Sequence, residues 1–133
     1  MQDYKKLLVY REAYDSTKEI YTLTKHWPQE ELYNLTTQIR RSAHSVDSNI
    51  CEGVSRDTTP DTIRFLYHAY ASVKETENHL KLAFELGYVN ETNYNRLNDR
   101  LDYVGRMLNN FILYKKSKTH PCISAPPQPP KPL

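Results

Sequence analysis

An all-α fold, an antiparallel up-down four-helix bundle followed by a Pro-rich tail, is predicted by three features of the chain. Helix-breaking residues are scarce in its body: the three glycines are Gly53, Gly87 and Gly105, and six of the eight prolines fall after residue 120. Interior Gly and Pro cost a helix about 1 and 3 kcal/mol relative to Ala, so long stretches free of both favour helices. Apolar residues also recur at alternating spacings of four and three, as in Ile39, Ala43, Val46 and Ile50, and again in Leu97, Leu101, Val104 and Leu108, which is the seam of a helix packed in a bundle. Finally, start and stop signals divide the chain into four runs with short connections, and short connections favour antiparallel neighbours.

The first helix is expected from about Tyr4 to Lys25, with Leu7, Tyr10, Tyr14, Thr17, Tyr21 and Thr24 on its seam and Leu8 and Ile20 beside it. His26-Trp27-Pro28 ends it, because the residue before Pro is pushed out of the α region while Pro suits a first helical turn. Gln29, Glu30 and Glu31 then open helix two with acids where the helix dipole favours them, and Gly53 stops it after Glu52. Thr59 as cap, Pro60 at the first position and Asp61 in the first turn start helix three. Its seam is Leu66, Ala69, Val73, Thr76, Leu80 and Ala83, and Leu86-Gly87-Tyr88 is a glycine stop. Asn90 caps helix four, whose seam continues through Phe111 towards Lys115. The bundle is placed at residues 1–117 and the tail at 118–133. That tail can form polyproline II but cannot build a core, and is expected to be disordered. Pro126, Pro129 and Lys131 match a proline-motif ligand, but in a short Pro-rich run the match is nearly automatic, and a solubilising tail is favoured.

Helix two carries a second pattern. Gln38, Ser42, Ser45, Asn49, Glu52 and Arg56 form a polar row about 100° round from its apolar seam. Small hydroxyls and amides beside a core seam suggest a helix packed on more than one side with specific polar partners. Gln38, Arg41, Ser45, Asn49 and Glu52, with Glu75 on helix three, are therefore assigned a structural role joining helices or subunits.

The net charge of +2 is unevenly placed: Lys115, Lys116, Lys118 and Lys131 lie at the end of the chain, and without them 14 Lys and Arg face 16 Asp and Glu. Any nucleic-acid affinity would need a local patch. Two distant cysteines, Cys51 and Cys122, give no disulfide framework or metal-ligand cluster. No signal peptide and no apolar run of 18 residues is read, so a cytoplasmic protein without membrane contact is expected.

No catalytic constellation survives its own geometry. A di-metal bundle centre wants Glu-x-x-His on two helices, and the chain has none; Glu75 and His79, one turn apart, read better as a polar pair. Cys51, His44 and Asp47 share one helix row, but two turns, roughly 10 Å of helical rise, separate Cys51 from His44, beyond reach for proton transfer. No enzyme, no metal and no cofactor are expected. The arginines leave two uses open. Arg40 and Arg41 could pair with acids such as Glu52 or Glu75 on neighbouring helices or subunits. Alternatively, Arg40, Arg56 and Arg64, with Lys115, Lys116 and Lys118, could contact phosphates while surface Tyr stack on bases.

The segment Trp27-Pro28, Glu31, Leu35, Gln38-Ile39-Arg40-Arg41-Ser42-Ala43, Ser45-Val46 and Asn49-Ile50-Cys51-Glu52-Gly53 resembles the four-helix-bundle proteins encoded in intervening sequences of bacterial 23S rRNA genes. The likeness continues through Phe65-Leu66, Ala69, Ala71-Ser72-Val73, Glu75, Glu77, Leu80, Ala83, Leu86-Gly87-Tyr88 and Arg106-Met107-Leu108, spanning about residues 4–116. Ser42 and Cys51 stand where Ala is expected, and Ala71 where Gly is common. The resemblance implies an antiparallel bundle assembling into a ring-shaped homopentamer. A related group, the accessory variability proteins of diversity-generating retroelements, binds nucleic acid and a reverse transcriptase through a basic pentameric barrel. The expectation is thus a non-enzymatic, self-assembling RNA- or DNA-binding accessory factor. Its rival is a structural oligomer or protein-binding adaptor with no nucleic-acid role.

Overall fold

The structure, a computed structural model, describes residues 3–118 and 129–132. Its regular elements are helical: α1 (Leu8–Thr24), α2 (Leu35–Val54), α3 (Thr59–Glu85) and α4 (Glu91–Ser117), with single 3-10 turns at Tyr4–Lys6 and Gln29–Glu31. Each helix touches the next, and α4 returns to α1. Cross-helix pairs give the directions. Thr17 meets Asp47 and Thr24 meets Arg40, so α2 runs back along α1. Ser42 meets Thr76 and Ser45 meets Ser72, while Phe84 stacks on Tyr94 and Lys116 reaches Tyr67. Each helix thus reverses the one before it.

The apolar interior holds Ile20, Ile39, Ile50, Leu66, Val73, Leu80, Val104 and Leu108, each with no accessible surface. Fully burying a side chain of this size stabilises by about 1.5–3 kcal/mol. The predicted row of α3 is buried throughout, Thr76 included. Its start differs by one residue: Thr58, not Thr59, is the cap, accepting from the Asp61 N–H at 3.3 Å. Its end is a Schellman turn, with Tyr88 N–H bonding the Ala83 carbonyl and Gly87 N–H that of Phe84. Gly87 has φ 82°, which only Gly adopts without Cβ strain.

The α2–α3 contact is close because its residues are small. Ser42 and Thr76 hydroxyls lie 2.8 Å apart, those of Ser45 and Ser72 2.9 Å. At Gly53 a Cβ would sit 3.1 Å from Phe65 Cβ and 3.3 Å from the Thr62 carbonyl oxygen. Charge dominates the polar contacts of the opposite seam, α1 to α4. There the Arg100 guanidinium spans Glu12 (3.1 Å), Asp15 (3.4 Å) and Glu19 (3.4 Å), and Arg96 also reaches Glu19.

Three sequence expectations are corrected here. The seam of α1 is not its tyrosine row. Val9, Ala13, Ser16, Thr17, Ile20 and Thr24 are buried, whereas Tyr14 and Tyr21 are 41% and 43% exposed and Leu8 also faces outward. The first helix also breaks at Leu7, whose ψ of 128° is extended. Helix two, in turn, starts at Leu35 rather than at Pro28. Trp27 is buried against Tyr88, and the Tyr88 hydroxyl donates to Glu31 at 2.8 Å, pinning this stretch to the α3–α4 connection. That bond, to a carboxylate, also raises the Tyr88 pKa. The chain then takes one 3-10 turn and kinks at Asn34 before α2 begins, with Thr37 hydroxyl donating to the Leu32 carbonyl. The expected tail disorder falls mainly on residues 119–128, which lie outside the described residues.

Candidate nucleic-acid interface

One end of the bundle gathers the close of α2, the start of α3 and the close of α4. A shallow cavity of about 380 Å³ there is lined by Val54, Arg56, Asp57, Thr58, Thr59, Thr62 and Lys115. The amino-terminal segment adds Lys5 and Lys6, since Tyr4 packs edge-on against Tyr10 at 4.9 Å and this turn also contacts α2. Of the six residues predicted to contact phosphate, Arg56, Arg64, Lys115, Lys116 and Lys118 stand at this pole. Arg40 does not: it sits near the other end, its Nε donating to Thr24 at 2.8 Å and its guanidinium 4.9 Å from the Tyr21 ring centre.

Aromatic rings are interleaved with these cations. Arg56 and Arg64 both lie over Phe65, at 4.4 and 4.5 Å. Lys115 lies over Phe111 and Lys118 over Tyr114. Lys116 reaches the Tyr67 hydroxyl at 2.6 Å, and Tyr67 is about half exposed. Such contacts contribute about 0.5–1 kcal/mol each at exposed sites, and they hold flexible cations in place. The lysines also suit the negative end of the α4 dipole. Carboxylates are interspersed: Arg56 pairs with Glu52 at 2.5 Å and lies 3.8 Å from Asp61, and Arg64 pairs with Asp61 at 2.8 Å. The pole is cationic in balance but not uniformly so.

The polar row of α2 divides in two. Ser42, Ser45 and Asn49 form a network against α3, Asn49 Nδ2 donating to the Ser45 carbonyl at 2.8 Å and its hydroxyl at 3.0 Å. Gln38, Arg41 and Glu52 are exposed. Within the chain neither Arg40 nor Arg41 pairs with Glu52 or Glu75: Glu52 holds Arg56, and exposed Glu75 lies 3.6 Å from His79.

A cluster joins α1 to α2 through His44 and Asp47, which share a helix row in the sequence, and Thr17, whose part in it the sequence does not show. Asp47 is 2% exposed; Thr17 bonds its Oδ1 at 2.7 Å and His44 Nδ1 lies 2.9 Å from Oδ2. Burial raises the Asp47 pKa, against the opposing pull of Thr17 and His44. Tyr10 is raised by its own burial and by Asp47. The available signal was Asp47 standing beside the seam residue Val46, one turn from His44.

A four-helix bundle with a mixed-charge flank and a basic, aromatic-studded pole is the class of protein that fold and site define. A family model for 23S rRNA-intervening sequence proteins matches residues 5–110, and the chain belongs to that family. Its fold is similar to a crystal structure of a protein of unknown function from the S23 ribosomal protein family of Bacteroides thetaiotaomicron. The two share 24% identity and a TM-score of 0.74, over 79% of this chain and 98% of the other. No curated protein matches the chain significantly. Among the described residues no helix is long and apolar enough to cross a membrane.

Proposed function

We propose that this protein is a non-enzymatic nucleic-acid-binding accessory factor of the cytoplasm that works as a homo-oligomer, a pentamer, with the basic pole of each bundle contacting phosphate. The observation that carries the reading is the convergence of Arg56 from the α2–α3 connection, Arg64 from α3 and Lys115 and Lys116 from α4 around part-buried Phe65 and Phe111 and exposed Tyr67. Cations held on aromatic faces suit a ligand offering both phosphates and bases. Membership of a family named for 23S rRNA supports structured RNA as the first ligand to test. The retroelement-type variant of this reading adds DNA and a reverse transcriptase as partners.

The interspersed Glu52, Asp57 and Asp61 favour the rival, a structural oligomer or protein-binding adaptor. Fluorescence anisotropy of labelled structured RNA and duplex DNA, from about 50 to 200 mM salt, separates the two, because phosphate contacts weaken steeply across that range. Saturable binding whose salt slope flattens when Lys115, Lys116 and Lys118 become Ala is the expected result. An unchanged slope removes those lysines from the interface, and no binding at low salt leaves the adaptor.

A further inference from the structure

We propose that the groove between α3 and α4 at Gly105 is a recognition site for an extended proline peptide, and that residues 129–132 of the same chain are its resident ligand. The groove, about 290 Å³, is lined by Tyr70 and Lys74 from α3, Asp102, Arg106 and Asn109 from α4, and by Pro130 itself. Arg106 Nη2 donates to the Lys131 carbonyl at 3.4 Å, a long hydrogen bond.

The chemistry of the two sides matches. A proline-rich strand has few N–H groups, makes no internal hydrogen bonds and presents free carbonyls between flat apolar rings. A site for it needs an aromatic wall and fixed donors. Tyr70 supplies the wall, and the Arg106 guanidinium is a donor already positioned by Asp102 at 3.1 Å. Gly105 lies in the floor. A Cβ there would lie 3.6 Å from Val73 Cγ1 and 3.9 Å from Tyr70 Cε2, ordinary contact distances. Packing of α3 on α4 therefore does not demand glycine, yet a mid-helix glycine costs about 1 kcal/mol against alanine. A methyl group there would also stop short of the 129–132 segment.

Chain length permits the contact within one molecule. From Lys118 back to Arg106 is twelve residues of α4, roughly 18 Å at the helical rise. The eleven steps from Lys118 to Pro129 can span up to about 36 Å. Tethering also gives the segment an effective concentration near millimolar, enough to hold a weak ligand.

Paramagnetic broadening in the full chain tests this. A nitroxide is placed at position 133 (Leu133→Cys, with Cys51→Ser and Cys122→Ser), and amide signals are compared with the reduced label. The Gly105, Arg106 and Asn109 amides should lose more than half their intensity. Replacing Pro129, Pro130 and Pro132 by Ser should restore it. Unaffected amides in the labelled wild-type chain, or broadening that persists unchanged in the serine variant, would overturn the proposal. Isotope-labelled chains mixed with separately spin-labelled ones should show no broadening; if they do, a second copy supplies the segment and the assignment to the same chain is wrong.

Discussion

Thr17 on α1 and Asp47 on α2 share a 2.7 Å hydrogen bond that places a carboxylate at 2% exposure between two helices. His44 Nδ1 closes the other oxygen at 2.9 Å. Burial nevertheless dominates, and the carboxyl titrates above its ordinary value of 3.8. The folded state therefore holds this proton more tightly than the unfolded chain, so this group's contribution to stability is greatest below the unfolded pKa. It is lost as pH rises through the folded one. Asp47→Asn keeps an acceptor for Thr17 and removes the charge. Its denaturant midpoint at pH 7 should equal or exceed the wild type's, and the fall in stability on leaving the acid range should shrink. Asp47→Ala should cost about 1–3 kcal/mol, since it breaks the cross-helix bond and leaves space behind.

Gly53 should resist replacement by alanine. Helix propensity alone favours Ala by about 1 kcal/mol. Against it, the new Cβ meets Phe65 Cβ at 3.1 Å and the Thr62 carbonyl oxygen at 3.3 Å, both fixed to the backbone of α3. Neither can rotate away, so α3 must shift as a unit, and overpacking of this kind costs about 1–3 kcal/mol. Gly53→Ala should thus destabilise by about 1 kcal/mol net in urea unfolding. A stabilised variant would mean that α3 yields freely.

Arg100 spans three carboxylates that otherwise face one another on α1, at i, i+3 and i+7. Arg100→Met should destabilise by about 1–3 kcal/mol at low salt: more than an exposed pair is worth, less than a fully buried one. The loss should diminish in 1 M NaCl and in acid, where the carboxylates repel less. Thermal melts across a salt series provide the measurement.

The two ends of the bundle should behave differently in binding. Arg56→Gln and Arg64→Gln should each change stability by no more than about 1 kcal/mol, their partners being solvent-facing. Each should lower the salt slope of nucleic-acid binding by about one unit if it contacts a phosphate. Arg40→Gln should leave that slope unchanged while loosening the Thr24 and Tyr21 contacts. Equal effects at both ends would place the ligand elsewhere.

The legibility of the fold in the sequence varied by helix, for a physical reason. On α3 the buried face is mostly aliphatics and Ala, with Thr62 and Thr76 in the same row, so periodicity and packing agree. On α1 the large rings drew the seam to Tyr14 and Tyr21, although tyrosine is amphipathic and can stand at a surface. The true stripe runs through Ala13, Ser16 and Ile20, whose small members carry little hydropathic weight. The stretch from Pro28 to Asn34 misled because acids that suit a helix start also suit a 3-10 turn, and the Glu31–Tyr88 bond that fixes it spans 57 positions. Thr59 reads as the cap because Pro suits a first helical position, yet Pro60 takes the second and Thr58 caps instead. The basic pole was readable only as scattered residues: Arg56 and Lys115 meet through topology, not spacing.

A ring of four helices has four seams, and here two opposite ones are joined in different ways. Between α2 and α3, hydroxyl meets hydroxyl with no room for a methyl group at Gly53, a spine that cannot part without breaking up the core. Between α4 and α1, long arginines reach across to carboxylates that stay partly wet. The bundle is therefore bound like a book, sewn along one edge and clasped along the other. Ionic strength loosens the clasp and leaves the hydroxyl-joined spine untouched, so α1 is the cover that lifts first.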